Sequence, residues 1–165
     1  TPLAIGTIPK DEMVAFLVKR SQTGGRPMLE DTAEQIYELG RGVPYWVQEL
    51  ARHAFSEAEH EWIDETDVEE AVRVLTEAQE GLGVPLYNPL SPHPKKVLTA
   101  PAVQPTKELG AAELVTRSGV AASTIRDSVE KLEGDELVEL DNDAGWRVAN
   151  PFFERWLLES LGGAN

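Results

Sequence analysis

Residues 107–132, KELGAAELVTRSGVAASTIRDSVEKL, decide the fold of the C-terminal part of the chain. Two helical patterns meet there at Ser118-Gly119-Val120. Glycine allows a tight turn, and Ile125 is spaced to anchor the second helix in the core, so the stretch predicts a helix-turn-helix. The apolar period predicts that the inward face of the second helix consists of Ala122, Ile125, Val129 and Leu132.

The residues that follow predict a winged helix. Two short strand patterns, ELVEL at 136–140 and GWRV at 145–148, flank a turn-rich segment. A last helical pattern, PFFERWLLESL at 151–161, carries one apolar stripe. That stripe contains Phe153, Trp156, Leu157 and Leu161. The order helix, turn, helix and hairpin is typical of a winged helix, which we expect over residues 106–165.

Residues 1–84 predict a small bundle of four helices. The first helical pattern stops at Gly24-Gly25, and Pro44 suits the first turn of the third helix. Capping-box spacing, an N-cap residue followed three positions later by Glu, is expected to start the second and fourth helices. The two pairs are Asp31 with Glu34 and Thr66 with Glu69. The fold class is therefore mainly α, a helical bundle followed by a winged helix-turn-helix domain with a small β-hairpin.

A proline-rich segment separates these two parts. Residues 85–105, PLYNPLSPHPKKVLTAPAVQP, hold six of the eleven prolines of the chain. Because proline removes a backbone donor and blocks helix extension on its N-terminal side, the segment predicts a linker and domain boundary. A short helix near residues 95–100 is expected to lead into the winged helix.

Composition and charge narrow the classes of function. The 165 residues contain 15 basic and 29 acidic side chains, a net charge of −14, which repels nucleic-acid phosphates and anionic lipids. Cysteine is absent, which excludes disulfides and thiolate chemistry. No run approaches about 18 apolar residues and no secretory signal pattern is present. We expect a cytoplasmic protein with no membrane partner.

Residues for catalysis are missing from the sequence. His60-Glu61 begins like a zinc-protease HExxH motif, but Asp64 stands where the second histidine is required, so no metal site is expected. No GxxxxGK[ST] phosphate-binding loop occurs, and no apolar strand ends in paired acids. The chain is therefore not expected to be an enzyme by itself.

Two motifs around the winged helix carry a family resemblance. LGRGVPYWVQELARHAF at 39–55 and RVANPFFERWLLESL at 147–161 resemble the C-terminal region of prokaryotic AAA+/STAND ATPases, in the clade related to archaeal ATPases and replication initiators. The terminal match rests on Asn150-Pro151-Phe152, Arg155, Trp156 and Leu157. The resemblance implies a helical lid at 1–84 and a winged helix, following an upstream ATPase core that would be the main partner.

The resemblance also implies where a nucleotide would be sensed. Lids of this family carry a Gly-x-Pro motif near the adenine nucleotide, and the match is Gly42-Val43-Pro44, with Arg41 beside it. ATP or ADP with Mg²⁺ would be bound by the parent protein, with no cofactor held by this region alone. Residues 5–9 resemble the crossing from core to lid. The alternative is that Gly42 and Pro44 only end one helix and begin the next.

The winged helix leaves two hypotheses open. Residues placed where such a domain contacts a major groove and its flanking phosphates are Arg117, Ser123, Thr124, Arg126 and Arg147. Acidic residues surround this surface, and residues 106–165 carry 12 acidic against 6 basic side chains. The charge therefore favours a regulatory arm that contacts protein over a DNA-binding module of an initiator or transcription regulator.

Overall fold

The computed structural model describes residues 6–103 and 112–162. It is mainly helical, with one two-stranded antiparallel hairpin, which confirms the predicted fold class. The chain divides into two compact units, Thr1–Leu75 and Thr76–Asn165. Among the described residues, no helix has the length and apolar character needed to cross a bilayer.

Four helices make up the first unit. They are α1 (Lys10–Thr23), α2 (Glu30–Leu39), α3 (Pro44–Glu57) and α4 (Glu65–Glu77), the last of which ends just beyond the unit boundary. One apolar face of each helix supplies the core. Fully buried core side chains are Ala33, Ile36, Val47, Leu50, Ala54, Val68 and Ala71.

The loops of the first unit are tied to one another by main-chain bonds. A parallel bridge joins Met28 to Ile63, and the Ile63 amide donates to the Pro27 carbonyl at 2.9 Å. Arg26 donates to the carbonyls of Phe55 and Ala58, at 2.8 and 2.7 Å. Its guanidinium therefore satisfies carbonyl groups at the C-terminus of α3, which have no partner within the helix.

Helix stops were predicted better than helix starts. α1 ends at Thr23, and Gly25 follows in the left-handed region at φ 83°, so the helix stops at the Gly24-Gly25 pair as predicted. The predicted capping boxes are wrong, because α2 follows Leu29 with no side-chain cap and α4 begins after Asp64. Asp64 accepts bonds from the Thr66 amide and hydroxyl at 2.9 and 2.6 Å, while the Asp64 amide donates to Asp67 at 2.9 Å. The two residues that bond reciprocally are thus Asp64 and Asp67. They lie two positions before the predicted pair, Thr66 and Glu69.

The second unit contains the remaining elements. They are α5 (Gln79–Leu82), α6 (Val84–Tyr87), α7 (Pro92–Val103), α8 (Ala112–Ser118), α9 (Ala122–Gly134), β1 (Val138–Asp141), β2 (Gly145–Val148) and α10 (Pro151–Gly162). Gly119 makes the turn between α8 and α9 at φ 67°, as predicted, and the hairpin pairs Val138 with Val148. Helix, turn, helix and hairpin occur in the order of a winged helix. The first five residues of the predicted helix-turn-helix stretch, 107–111, lie outside the described residues.

Two inward positions were mispredicted. Ala122 is exposed because it is the first residue of α9, and Ser128 is buried on the inner face with Ile125 and Leu132. Leu161 is 45% exposed, in the last turn of α10. The apolar period of a sequence identifies which face of a helix is buried. How far that burial extends along the helix depends on where the neighbouring elements end.

The proline-rich segment contains the helix expected near residues 95–100, in a longer form, and does not contain the boundary between the two units. Residues 92–103 form α7, and Val97, Leu98 and Ala100 are buried in the core of the second unit. Pro92 and Pro94 fall in the first turn of α7, where backbone amides lack a partner within the helix, so proline costs no hydrogen bond there. The unit boundary falls between residues 75 and 76 instead, and residues 104 and 105 lie outside the described residues.

The cap of α4 should make the stability of the first unit depend on acid pH. The bonds from Thr66, with smaller contributions from the Asp67 amide and His60, hold the pKa of Asp64 below its usual value of about 3.9. Because the folded pKa is depressed, the stabilisation is present above pH 4 and is lost as the pH falls through the folded pKa. We expect Asp64→Ala to lower the melting temperature at pH 7 and the difference from wild type to shrink at pH 2.5.

The matched control is Glu61→Ala, which removes an exposed carboxylate that lies outside the helix. Thermal unfolding followed by circular dichroism at both pH values measures the two differences. A difference that stays constant across the two pH values would contradict the capping role of the ionised carboxylate.

Two neighbouring glycines test whether residues 79–83 belong to the core of the second unit. A Cβ on Gly83 would clash with the ring of Phe153, whereas a Cβ on Gly81 would meet nothing within 4 Å. We expect Gly83→Ala to reduce the free energy of unfolding by about 1–3 kcal/mol, as overpacking does. Gly81→Ala should change it by less than about 1 kcal/mol, in the stabilising direction. Urea unfolding of both variants measures this, and equal effects would argue against the packing.

Candidate functional site

The loop between α2 and α3, residues 40–44, contains two consecutive left-handed residues. Arg41 has φ 57° and Gly42 has φ 64°. The Arg41 amide donates to the Glu38 carbonyl and the Gly42 amide to the Tyr37 carbonyl, both at 3.0 Å, which closes the C-terminus of α2. A left-handed residue other than glycine costs about 1 kcal/mol, so Arg41 is held in this conformation by the surrounding contacts.

Both glycines of the loop are required by close approaches. A Cβ on Gly40 would lie 2.6 Å from Val47 Cγ2 and 2.8 Å from the Val47 amide nitrogen. A Cβ on Gly42 would lie 2.6 Å from the Tyr37 hydroxyl. Pro44 is the first residue of α3, where its missing N–H costs nothing. The structure therefore gives the motif Gly42-Val43-Pro44 a defined backbone shape.

Tyr37 joins this loop to the residues that precede α1, and sequence reasoning missed it. Its hydroxyl donates to the Ile8 carbonyl at 2.8 Å, and the Ile8 amide donates to the Gly42 carbonyl at 3.3 Å. Ile8 belongs to the segment, residues 5–9, that was expected to cross from the ATPase core to the lid. It is thus bonded to the loop that was expected to contact the nucleotide. Ile5 lies outside the described residues. The only signal in the sequence was a tyrosine three residues before the helix stop, which does not reveal its partner.

An exposed ion-pair cluster lies beside Tyr37. Lys10 Nζ is 3.0 Å from Glu38 Oε1 and 3.1 Å from Glu34 Oε2. The hydrogen bond to Glu38, and then that to Glu34, raise the pKa of Lys10 above its usual value. Since Glu34, Tyr37 and Glu38 have i, i+3 and i+4 spacing, one face of α2 holds both Ile8 and Lys10.

The main-chain amides of the loop are not arranged to bind a phosphate. The amides of Arg41, Gly42 and Val43 are all bonded to carbonyls of the chain, at 3.0, 3.0 and 3.1 Å. Phosphate cradles require several main-chain amides that point at the ligand, and this loop offers none of these three. Val43 and Pro44 are partly exposed and can supply an apolar wall. The main chain of this loop therefore does not form a cradle for a triphosphate with Mg²⁺.

A groove of about 690 Å³ crosses the first unit between α1 and α3. Phe16 lies in its lining and is 51% exposed. Arg52 also lines the groove and is paired with Glu49 at 2.9 Å. Sequence reasoning did not predict this groove.

The structure separates the five predicted DNA-contact residues. Ser123 and Arg126 are exposed on the first turns of α9, and Thr124 is partly buried. Arg117 instead donates to the Ala100 carbonyl of α7 at 3.2 Å. Arg147 is 14% exposed and is held by Glu139 at 2.8 Å and Asp141 at 3.2 Å.

Two of the five residues named for the DNA-binding alternative, Arg117 and Arg147, thus bond within the second unit. Glu139 lies opposite Arg147 in the hairpin register. Cross-strand pairs of opposite charge attract each other, so the guanidinium bonds within the hairpin. A phosphate would have to displace two carboxylates to reach it.

The terminal motif has a structural role. Asn150 Oδ1 accepts from the amides of Phe152 and Phe153 at 2.9 and 3.2 Å, which caps the start of α10. Its side-chain amide donates to Gln79 Oε1 at 3.1 Å. Phe153 is buried and stacks on Trp156, with the ring centroids 5.9 Å apart. The motif thus fixes α10 in the second unit.

The HExxH-like string carries no ligand geometry. The His60 ring stacks on the exposed Trp62 at 5.3 Å, and Asp64 is used as the cap of α4. Over residues 6–103 and 112–162, no three His, Asp or Glu side chains are grouped in a way that could hold a metal ion.

Comparison with known proteins gives a fold relationship. No protein-family model matches the sequence, and no curated protein matches it significantly. Among solved structures, the chain is similar to the Walker-type ATPase PABY2304 of Pyrococcus abyssi, with a TM-score of 0.67 and 18% sequence identity. The similarity covers 92% of this chain and 42% of the ATPase, so the chain spans less than half the length of that protein. The fold is related to that of an archaeal ATPase.

The winged-helix surface should bind duplex DNA weakly. With Arg117 and Arg147 engaged internally, few phosphates can be neutralised, and we expect a nonspecific dissociation constant weaker than about 10⁻⁴ M at physiological salt. Fluorescence anisotropy with a labelled duplex at two salt concentrations measures this. Low-micromolar binding that weakens steeply with salt and disappears in Arg126→Glu, but persists in the control Arg155→Glu on α10, would contradict the expectation.

Proposed function

We propose that this chain is the C-terminal lid and regulatory winged-helix arm of a Walker-type ATPase of the AAA+/STAND class. The observation that carries the proposal is the similarity of fold over 92% of this chain to a Walker-type ATPase. The sequence itself lacks a phosphate-binding loop, so the ATPase core would be supplied by other residues of the parent protein.

In this proposal the loop at residues 40–44 contacts the base of the nucleotide. Gly42 and Pro44 supply a backbone of fixed shape, and Val43 with Pro44 supplies an apolar wall. ATP with Mg²⁺, when bound to the core, supplies the bond that is hydrolysed. The lid residues orient the base and exclude water from one side of it.

Arg41 is the neighbouring residue that the proposal includes in the site. Its left-handed backbone is adjacent to Gly42, so its position is set by the same turn. Strained residues of this kind concentrate at ligand-binding and switch regions, which supports a role in nucleotide contact.

The winged helix would serve as a protein-contacting arm. Two of its candidate DNA-contact arginines are bonded within the domain, and residues 106–165 carry twice as many acidic as basic side chains. An acidic surface with few available cations is better suited to protein partners than to a phosphate backbone. Its partner would be the ATPase core or another protein that the nucleotide state regulates.

A two-part nucleotide experiment tests the proposal. Isothermal calorimetry of the isolated chain with Mg-ATP should give neither heat of tight binding nor turnover, because a lid supplies one wall of a site. In the protein that contains both this chain and its ATPase core, Gly42→Ala should weaken ATP binding about tenfold by displacing the loop.

Gly134→Ala is the matched control, since a Cβ there meets nothing within 4 Å. Circular dichroism of both variants checks that they are folded. Micromolar ATP binding by the isolated chain would reveal a phosphate site within it. Equal ATP affinity of the Gly42→Ala protein and wild type would reject the loop as part of the nucleotide site.

A further inference from the structure

We propose that Tyr37 is a positioning residue that makes the segment before α1 and the α2–α3 loop move as one body. The consequence for nucleotide sensing rests on the proposed function, because a base that contacts the loop would then also shift residues 6–9. The physical coupling itself can be tested without a nucleotide.

Three hydrogen bonds form a closed ring through Tyr37, Ile8 and Gly42. The Tyr37 hydroxyl donates to the Ile8 carbonyl at 2.8 Å, the Ile8 amide to the Gly42 carbonyl at 3.3 Å, and the Gly42 amide to the Tyr37 carbonyl at 3.0 Å. Each of the three residues therefore bonds to both of the others. A displacement of any one residue therefore strains or breaks its bonds to both of the others.

The hydrogen-bonded ring is attached to α2, which is held in the core. Ile36, the residue before Tyr37, is fully buried, as is Ala33 one turn earlier. Their burial prevents α2 from rotating without exposing the core of the first unit. Tyr37 thus has a rigid base, and the parts that can shift are the segment before α1 and the loop.

The hydroxyl is the part of Tyr37 that carries the coupling. Its ring lies against Gly42, where a Cβ would be 2.8 Å from Cζ, so the ring alone can support the loop. The hydroxyl is the group that bonds to Ile8. A purely packing role would survive replacement by phenylalanine, whereas a coupling role would not.

Hydrogen exchange of the full 165-residue chain, followed residue by residue by NMR, distinguishes these roles. In Tyr37→Phe we expect the amides of both Ile8 and Gly42 to exchange about fivefold faster, since one hydrogen bond of ordinary strength is lost. The amides of Ile36 and Leu50 should keep their wild-type rates. Tyr45→Phe is the control, because Tyr45 is 60% exposed on α3.

A second variant removes a different bond of the hydrogen-bonded ring, the one from Ile8 to Gly42. Ile8→Pro removes the amide that donates to Gly42 but leaves the Gly42 amide and its acceptor in place. Coupling predicts that the Gly42 amide nevertheless exchanges faster. Unchanged Gly42 exchange in both variants overturns the proposal, and so does acceleration of every amide alike, which would mean general destabilisation. Either result leaves the nucleotide proposal standing, and a failed nucleotide experiment leaves the coupling standing.

Discussion

The first unit depends on the close approach of α2 and α3 at Gly40. A methyl group there would overlap the Val47 side chain and main chain, so the two helices meet with backbone against backbone. The chain must then reverse within four residues, which forces Arg41 and Gly42 into left-handed conformations. That reversal places the Gly42 carbonyl within reach of the Ile8 amide and the Gly42 Cα beneath Tyr37. One steric constraint thus fixes the loop and the segment bonded to it.

A similar close approach at a glycine occurs in the second unit, at Gly83. The ring of Phe153 occupies the space that a side chain at residue 83 would need, and Asn150 bonds to Gln79 nearby. These contacts draw residues 79–83 into the winged-helix core, together with Leu90 and α7. They account for a unit boundary at 75/76, ahead of the prolines.

Local signals made the elements predictable, while the partners of polar side chains were not. The 3.6-residue period located α3 and α9, alternation located β2 within its bounds, and Gly119 identified the turn of the helix-turn-helix. The helix in the proline-rich segment was predicted too short because the cost of a proline depends on its place in a helix. The internal partners of Arg117 and Arg147 were not predicted because their acceptors come from α7 and from the facing strand. Tyr37 was missed for the same reason, since its acceptor lies 29 residues away.

The main-chain hydrogen bonds within the α2–α3 loop limit how that loop can contact a ligand. Main-chain amides that are already paired within a turn cannot bind phosphate without breaking that turn, which costs about as much as the new bonds supply. The main chain of such a loop therefore contributes shape rather than donors for a phosphate. Shape is useful only if it is held in place. The closed ring of Tyr37, Ile8 and Gly42 holds it by joining the loop to the chain that enters the unit, so any force on the loop also acts on that entering segment.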